Sequence, residues 1–188
     1  HATIRRQRQM CIRDRAFIGL GSNLDQPVQR LTSALLAMDR LPGLTLQHHS
    51  RLYSSAPIGP QDQPDYVNAV AEVHSTLTPH ALLHSLQALE LAAGRQRLRH
   101  WGERTLDLDI LLIDDQLIDT PDLQVPHPQM SRRAFVLHPL LEIAPHCHLP
   151  DGTALGSFLS QVAEQTLSPL AELDRDALIE RKDPHRTD

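Results

Sequence analysis

Apolar and polar positions along this chain alternate, cluster and break in an order that reads as strand, helix, strand, strand, helix, strand. Ala16-Phe17-Ile18-Gly19-Leu20 is a short apolar run stopped by the turn residues Gly21-Ser22-Asn23, which predicts a buried strand. Pro27 opens a helix in which Leu31, Ala34, Leu35 and Met38 recur at i, i+3, i+4 and i+7 until Pro42-Gly43 ends it. Leu44 to Tyr53 predicts a second strand. After a proline-rich loop from Ser54 to Asp65, the alternation of Val67, Ala69, Ala71 and Val73 predicts a third. Thr78-Pro79 caps and starts a second helix with the stripe Leu82, Leu86, Leu89, Ala93 and a stop at Gly94. Thr105 to Ile113 alternates as a fourth strand. This β-α-β-β-α-β order is the split-βαβ arrangement of a ferredoxin-like α+β sandwich, with both helices on one face of the sheet. A short strand near Gln116 to Ile118, a helical stretch around Ser131 to Ile143 and a helix near Pro169 to Arg181 are expected as C-terminal additions.

Composition narrows the class. A chain of 188 residues, 40% hydrophobic, can fill one core, so a single domain over residues 15–180 is expected, with 181–188 as a frayed tail. A net charge of −5 and only 3% aromatic residues argue against a nucleic-acid binder. Cys11 and Cys147 cannot build a disulfide framework, and no apolar run approaches the ~20 residues that span a bilayer, so a cytoplasmic protein without membrane contact is expected. A monomer is the default expectation. Lys182 is the sole lysine, which excludes a P-loop and leaves any anion site to arginine or histidine. Residues 6–14 back-translate into a transposon-end sequencing adapter, so residues 1–14 read as non-native or disordered; the alternative is a natural Arg-rich arm. Either way the segment is expected outside the fold.

The chemistry concentrates in Trp101-Gly102-Glu103-Arg104-Thr105-Leu106-Asp107-Leu108-Asp109-Ile110. With a period of two, Leu106, Leu108, Ile110 and Leu112 face one side of a strand. Asp107 and Asp109 face the other, roughly 6.6 Å apart along it. Two carboxylates so placed repel unless a cation lies between them, and an all-oxygen pair suits Mg²⁺ shared with substrate phosphates. A D-x-D on a strand also describes an ordinary solvated face. Arg95 and Arg97 past the second helix, with Arg99 and Arg104, form either a phosphate-binding loop or a charge cluster favoured by the helix dipole. Tyr66 and Asn68, at i and i+2, could stack on and hydrogen-bond a flat heterocycle, or simply pack. His146-Cys147-His148 alternates in direction and reads as structural.

Four motifs in order, Gly19-Leu20-Gly21-Ser22-Asn23-Leu24, Gly59-Pro60-Gln61-Asp62-Gln63-Pro64-Asp65-Tyr66-Val67-Asn68, Arg104 to Ile110, and Val125-Pro126-His127, resemble the 6-hydroxymethyl-7,8-dihydropterin pyrophosphokinase family from Ala16 to Gly156. The resemblance implies an ATP-dependent pyrophosphokinase of folate biosynthesis that uses two Mg²⁺ ions, with ATP and 6-hydroxymethyl-7,8-dihydropterin as its small-molecule partners. It implies that Asp107 and Asp109 hold the metals and act in catalysis with Arg95 and Arg104. ATP would be lined by Gln87, Glu90, Arg97, Trp101, Arg104, Ile110, His127 and Arg133, with Gln87 and Glu90 near the adenosine and its ribose. The pterin would lie between Tyr66 and Phe135, read by Asn68 and by the main chain of Ser55 to Ile58, including Pro57. Pro128 and Asp122 depart from the family pattern, which often has an aromatic and a basic residue there. The resemblance also implies attack of the hydroxymethyl oxygen on the β-phosphorus of ATP, with AMP as the leaving group and the loops 54–65 and 95–103 closing over the nucleotide. A nucleotidyltransferase reading, from Gly21-Ser22 and the D-x-D, requires those two motifs to lie close together, and they are far apart. A ferredoxin-like RNA-binding module lacks its aromatic sheet stripe.

Overall fold

The computed structural model of the chain describes residues 13–24, 26–94 and 105–170. Its centre is β1 (Asp14–Ser22), flanked by β4 (Tyr66–Ser75) and β5 (Asp107–Ile113), both antiparallel to it. β4 carries β2 (Leu44–His49) and β3 (Tyr53–Ser55) end to end on its other side, and β3 pairs in turn with β8 (Leu167–Pro169). A separate hairpin joins β6 (Ile118–Asp119) to β7 (Gln124–Val125). Asp14 pairs with Ser75, so β1 includes the last residue of the segment 1–14 expected to lie outside the fold.

α1 (Pro27–Arg40) and α2 (Pro79–Ala92) form where the pattern places them. Pro79 opens α2 and the Thr78 hydroxyl accepts the Ala81 N–H at 3.2 Å, satisfying one of the helix's orphan donors. Both helices cover one sheet face, where Leu31, Leu35, Met38, Leu82 and Leu86 interlock with Ala16, Ile18, Leu20, Val73, Leu108 and Ile110. Each fully buried leucine contributes roughly 1.5–3 kcal/mol there. The opposite face is covered in part by α3 (Ala134–Ile143), which packs Val136, Leu137 and Leu140 against Phe17, Val70, Leu111 and Leu112.

Four departures from the sequence expectation have physical causes. The second strand is broken after His49, because Ser50 serves Val70 twice: its N–H donates to the Val70 carbonyl at 2.9 Å and its hydroxyl accepts the Val70 N–H at 3.0 Å. The fourth strand starts at Asp107 and carries a bulge: Ile18 pairs with Ile110 and Phe17 with Leu112, leaving Leu111 extra. Leu112 therefore joins the α3 face instead of the face of Leu106 and Ile110, and only Ile113 returns to the α1/α2 side. The stretch from Ser131 splits, with a 3-10 turn at Met130–Arg132 and an extended Arg133 before α3 begins. Lastly, Leu167–Pro169 is a strand; the helix expected to start at Pro169 otherwise falls outside the described residues, as does the tail 181–188.

Candidate active site

Among the described residues β5 is an edge strand of the sheet, paired only with β1, so every second one of its main-chain polar groups faces away from β1 and must find a partner elsewhere. Two are found close to the aspartates. The Leu108 N–H, between Asp107 and Asp109, donates to the Glu90 carboxylate at 2.8 Å, and the Leu111 carbonyl, at the bulge, accepts the His127 N–H at 2.9 Å. The aspartate-bearing strand is thus held on its outer side by one helix side chain and one loop main chain.

The two carboxylates point to the face that α3 only half covers. Opposite Asp107 on β1 is Gly21, and opposite Gly21 on β4 is Asn68; one step along, Asp109 stands opposite Gly19. The glycines make a low floor: a β-carbon at Gly21 would come within 3.4 Å of Asn68 Oδ1, and one at Gly19 within 3.5 Å of the Leu111 side chain. Above this floor opens a first cleft whose walls include Asp107, Asp109, Tyr66, Asn68, Arg133 and Phe135, with Ser55, Ala56 and Ile58 at its edge. Asn68 is buried and its side-chain N–H donates to the Ser55 hydroxyl at 2.8 Å, so β3 and β4 present the two groups as one unit. Pro57 is buried behind them, with its carbonyl accepting the Gln61 amide at 2.9 Å. The loop that follows is tied by its own glutamine, Gln63 to the Pro60 carbonyl at 2.9 Å, and by Asn23, whose amide donates to Gln63 at 3.1 Å and to the Pro64 carbonyl at 2.9 Å.

A second cleft lies on the far side of Asp109, between α2 and the β6–β7 hairpin, walled by Leu83, Asp109, Ile110, Thr120, His127 and Pro128 among others. His127 Nε2 stands 3.9 Å from Asp109 Oδ2, while its Nδ1 accepts the Gln129 N–H at 3.1 Å. That bond puts the proton of the neutral ring on Nε2, facing Asp109. Burial, and then the Arg133 cation, push the His127 pKa below its ordinary value against the opposing pull of Asp107, so the ring is neutral at neutral pH. At the mouth of the cleft, Asp122 is held by the Thr120 hydroxyl at 2.9 Å and His80 at 3.2 Å.

The expected residues therefore fall into two neighbouring groups. Ser55, Ile58, Tyr66, Asn68 and Phe135 share the first cleft with both aspartates. Ile110 and His127 share the second with Asp109, and Gln87 lies exposed on α2 one turn beyond Leu83. Arg133, expected along the nucleotide, opens onto the first cleft, its guanidinium 5.7 Å from the Phe135 ring centroid. Glu90, expected near a ribose, is only 3% exposed and turned onto β5. Arg95, Arg97, Trp101 and Arg104 lie outside the described residues. The glycine floor and the Asn23–Gln63 tie have no signal of their own in the sequence; both lie within two of the recognised motifs.

A family model described as 7,8-dihydro-6-hydroxymethylpterin-pyrophosphokinase matches residues 17–145. The chain belongs to this pyrophosphokinase family. Among its relatives is the 2-amino-4-hydroxy-6-hydroxymethyldihydropteridine pyrophosphokinase of Pseudomonas aeruginosa, 51% identical over 146 residues, covering 78% of this chain and 90% of the relative. The enzyme of the same name from Haemophilus influenzae is 48% identical over 155 residues, covering 82% and 97%. A crystal structure of a Plasmodium falciparum HPPK-DHPS triple mutant superposes with a TM-score of 0.64 at 14% identity, over 81% of this chain and 44% of that one, and supports the ferredoxin-like fold of the pyrophosphokinases.

Proposed function

We propose that the two clefts are the pterin and nucleotide subsites of a single reaction. The chain is a pyrophosphokinase of folate biosynthesis, moving the β,γ-pyrophosphoryl group of ATP onto 6-hydroxymethyl-7,8-dihydropterin. The observation that carries the site assignment is that Asp109 lines both clefts, with Asp107 beside it in the first. A group passed from one cleft to the other has to cross these carboxylates.

The donor set fits a hard divalent cation. Both groups are carboxylates on one strand face, the Asp109 side chain is 42% exposed, and no third His, Cys, Asp or Glu among the described residues completes a cage. The remaining ligands would be phosphate oxygens and water, the arrangement Mg²⁺ favours. Two Mg²⁺ ions held by Asp107 and Asp109 would neutralise the charge of the transferred phosphates.

The rest is the work of the chain's own groups. Tyr66 and Phe135 hold the flat pterin by its faces, and Asn68 with the Ser55 to Ile58 main chain reads its edge. His127 Nε2–H and the arginines Arg95, Arg97, Arg104 and Arg133 contact phosphate oxygens, with Gln87 and Trp101 on the nucleoside side. The hydroxymethyl oxygen forms a bond to the β-phosphorus as that phosphorus parts from the oxygen that stays with AMP, and the hydroxyl proton leaves to the medium. Positioning and charge neutralisation supply most of the rate in such transfers, so no strong base is required. The deciding experiment supplies ATP, Mg²⁺ and the hydroxymethyl-dihydropterin and identifies the nucleotide product. AMP supports the reading, and ADP overturns it.

A further inference from the structure

Residues 165–170, beyond the match to the family model, reach both walls of the first cleft. The Gln165 side chain accepts the Ala134 N–H at 2.9 Å and donates to the Arg132 carbonyl at 2.8 Å, bracketing Arg133 at the entry to α3, one residue short of Phe135. Two residues on, Leu167 pairs with Ser55 of β3, and Ser55 pairs with Tyr66 of β4, so Leu167, Ser55 and Tyr66 form one row across three strands. The Leu170 N–H closes the segment onto the Leu52 carbonyl at 2.8 Å. Gln165 and Leu167 are separated by Thr166 alone, and two residue steps of extended chain span at most about 7 Å. The start of the Phe135 helix and the Tyr66 row are therefore tied together by a strap too short to let them drift apart.

We propose that Gln165 is a positioning residue for the pterin subsite, and that residues 165–170 form a clamp setting the separation of the Tyr66 and Phe135 walls. The proposal rests on the reading of the first cleft as that subsite. Gln165 touches no substrate; it acts through the main chain on either side of Arg133. Without it the α3 entry loses one acceptor and one donor, and the gap between the rings widens and narrows more freely. A flat ligand gripped by both faces feels that directly, whereas a nucleotide held on the far side of Asp109 feels it only through Arg133, one of several groups on its phosphates.

The test uses the full chain with Gln165→Ala and Gln165→Glu, the latter keeping the acceptor for the Ala134 N–H. Pterin affinity is titrated in the presence of a non-hydrolysable ATP analogue, and the analogue is titrated alone. The expected result is a loss of about tenfold in pterin affinity for Gln165→Ala, partial recovery in Gln165→Glu, and a clearly smaller loss in analogue affinity, since Arg133 is one phosphate contact among several. Amide exchange at Ala134, measured without ligand, should quicken in Gln165→Ala and recover in Gln165→Glu. Unchanged pterin affinity overturns the proposal, and so does an equal loss of both ligands with a lower melting temperature, which would make Gln165 a stability residue only. A wild-type chain that binds no pterin would refute the functional reading instead, while the Ala134 exchange would still report whether Gln165 holds the α3 entry.

Discussion

Glu90 and Leu108 are joined by a 2.8 Å hydrogen bond that fixes the one residue between Asp107 and Asp109. A carboxylate buried to 3% exposure is costly unless its oxygens are engaged, and an outward N–H on an edge strand is costly unless it is accepted. Each meets the other's need. Glu90→Gln keeps an acceptor of the same shape and should fold with near-normal stability. Glu90→Ala leaves the Leu108 N–H buried and should cost about 1–3 kcal/mol in urea denaturation. Equal stability of the Ala variant and wild type would show that this bond contributes nothing to holding β5.

Asp107→Asn and Asp109→Asn should each abolish AMP formation while leaving the melting temperature unchanged or slightly higher, because each variant removes repulsion between neighbouring carboxylates. The measurement is turnover against Mg²⁺ concentration alongside thermal denaturation. Near-normal turnover in either variant would remove that carboxylate from the proposed metal site.

In the first cleft, shape should matter more than the phenol. Tyr66→Phe is expected to be mild, and Phe135→Ala to weaken pterin binding by about 1–3 kcal/mol with little effect on the nucleotide. Asn68→Leu should lose at least as much, because it removes the group proposed to read the pterin edge and also strands the Ser55 hydroxyl to which Asn68 donates. Titration with pterin in the presence of a non-hydrolysable ATP analogue separates these outcomes. A loss confined to ATP would mean that these residues face the nucleotide.

At the other end of the sheet, Glu72 is 5% exposed and receives Arg15 Nε at 2.7 Å and Nη2 at 3.1 Å, with His48 at 3.4 Å. Burial raises the Glu72 pKa, but the hydrogen bonds and charge of Arg15, joined by His48, outweigh it and bring the carboxyl below its ordinary 4.5. A value depressed on folding contributes stability in full above the unfolded pKa and loses it as pH falls through the folded one. Arg15→Met should cost about 1–2 kcal/mol at neutral pH, a modest figure because the arginine is half-exposed, and the cost should shrink below about pH 4. Urea midpoints at the two pH values measure it. A cost that does not change with pH would assign the role of Arg15 to its packing over Phe17, 4.7 Å away.

What was legible in the sequence was whatever local periodicity controls: α1, α2, β1, β4 and the facing of Asp107 and Asp109. The bulge was not, because Ile110-Leu111-Leu112-Ile113 is apolar throughout and carries no phase. Nor was β8, since Leu167-Ser168-Pro169 is a strand only because β3 offers it an edge. Glu90 did leave a trace. Leu82, Leu86 and Glu90 are spaced i, i+4 and i+8, which puts a carboxylate on the buried stripe of α2, and all three are buried. The two-cleft arrangement needed the fold itself, because nothing local relates Phe135 to Tyr66 or His127 to Asp109.

The sheet face under α3 is core at one end and open at the other, where Tyr66 and Phe135 stand half-buried across a floor of glycine. A flat ring entering that gap would complete the layer that α3 begins, so in thermodynamic terms the proposed substrate would be the last core residue, supplied from outside the chain. Its binding should then carry the mark of folding, a negative heat-capacity change in calorimetry, and should raise the melting temperature with concentration as a missing side chain would if it could be titrated in.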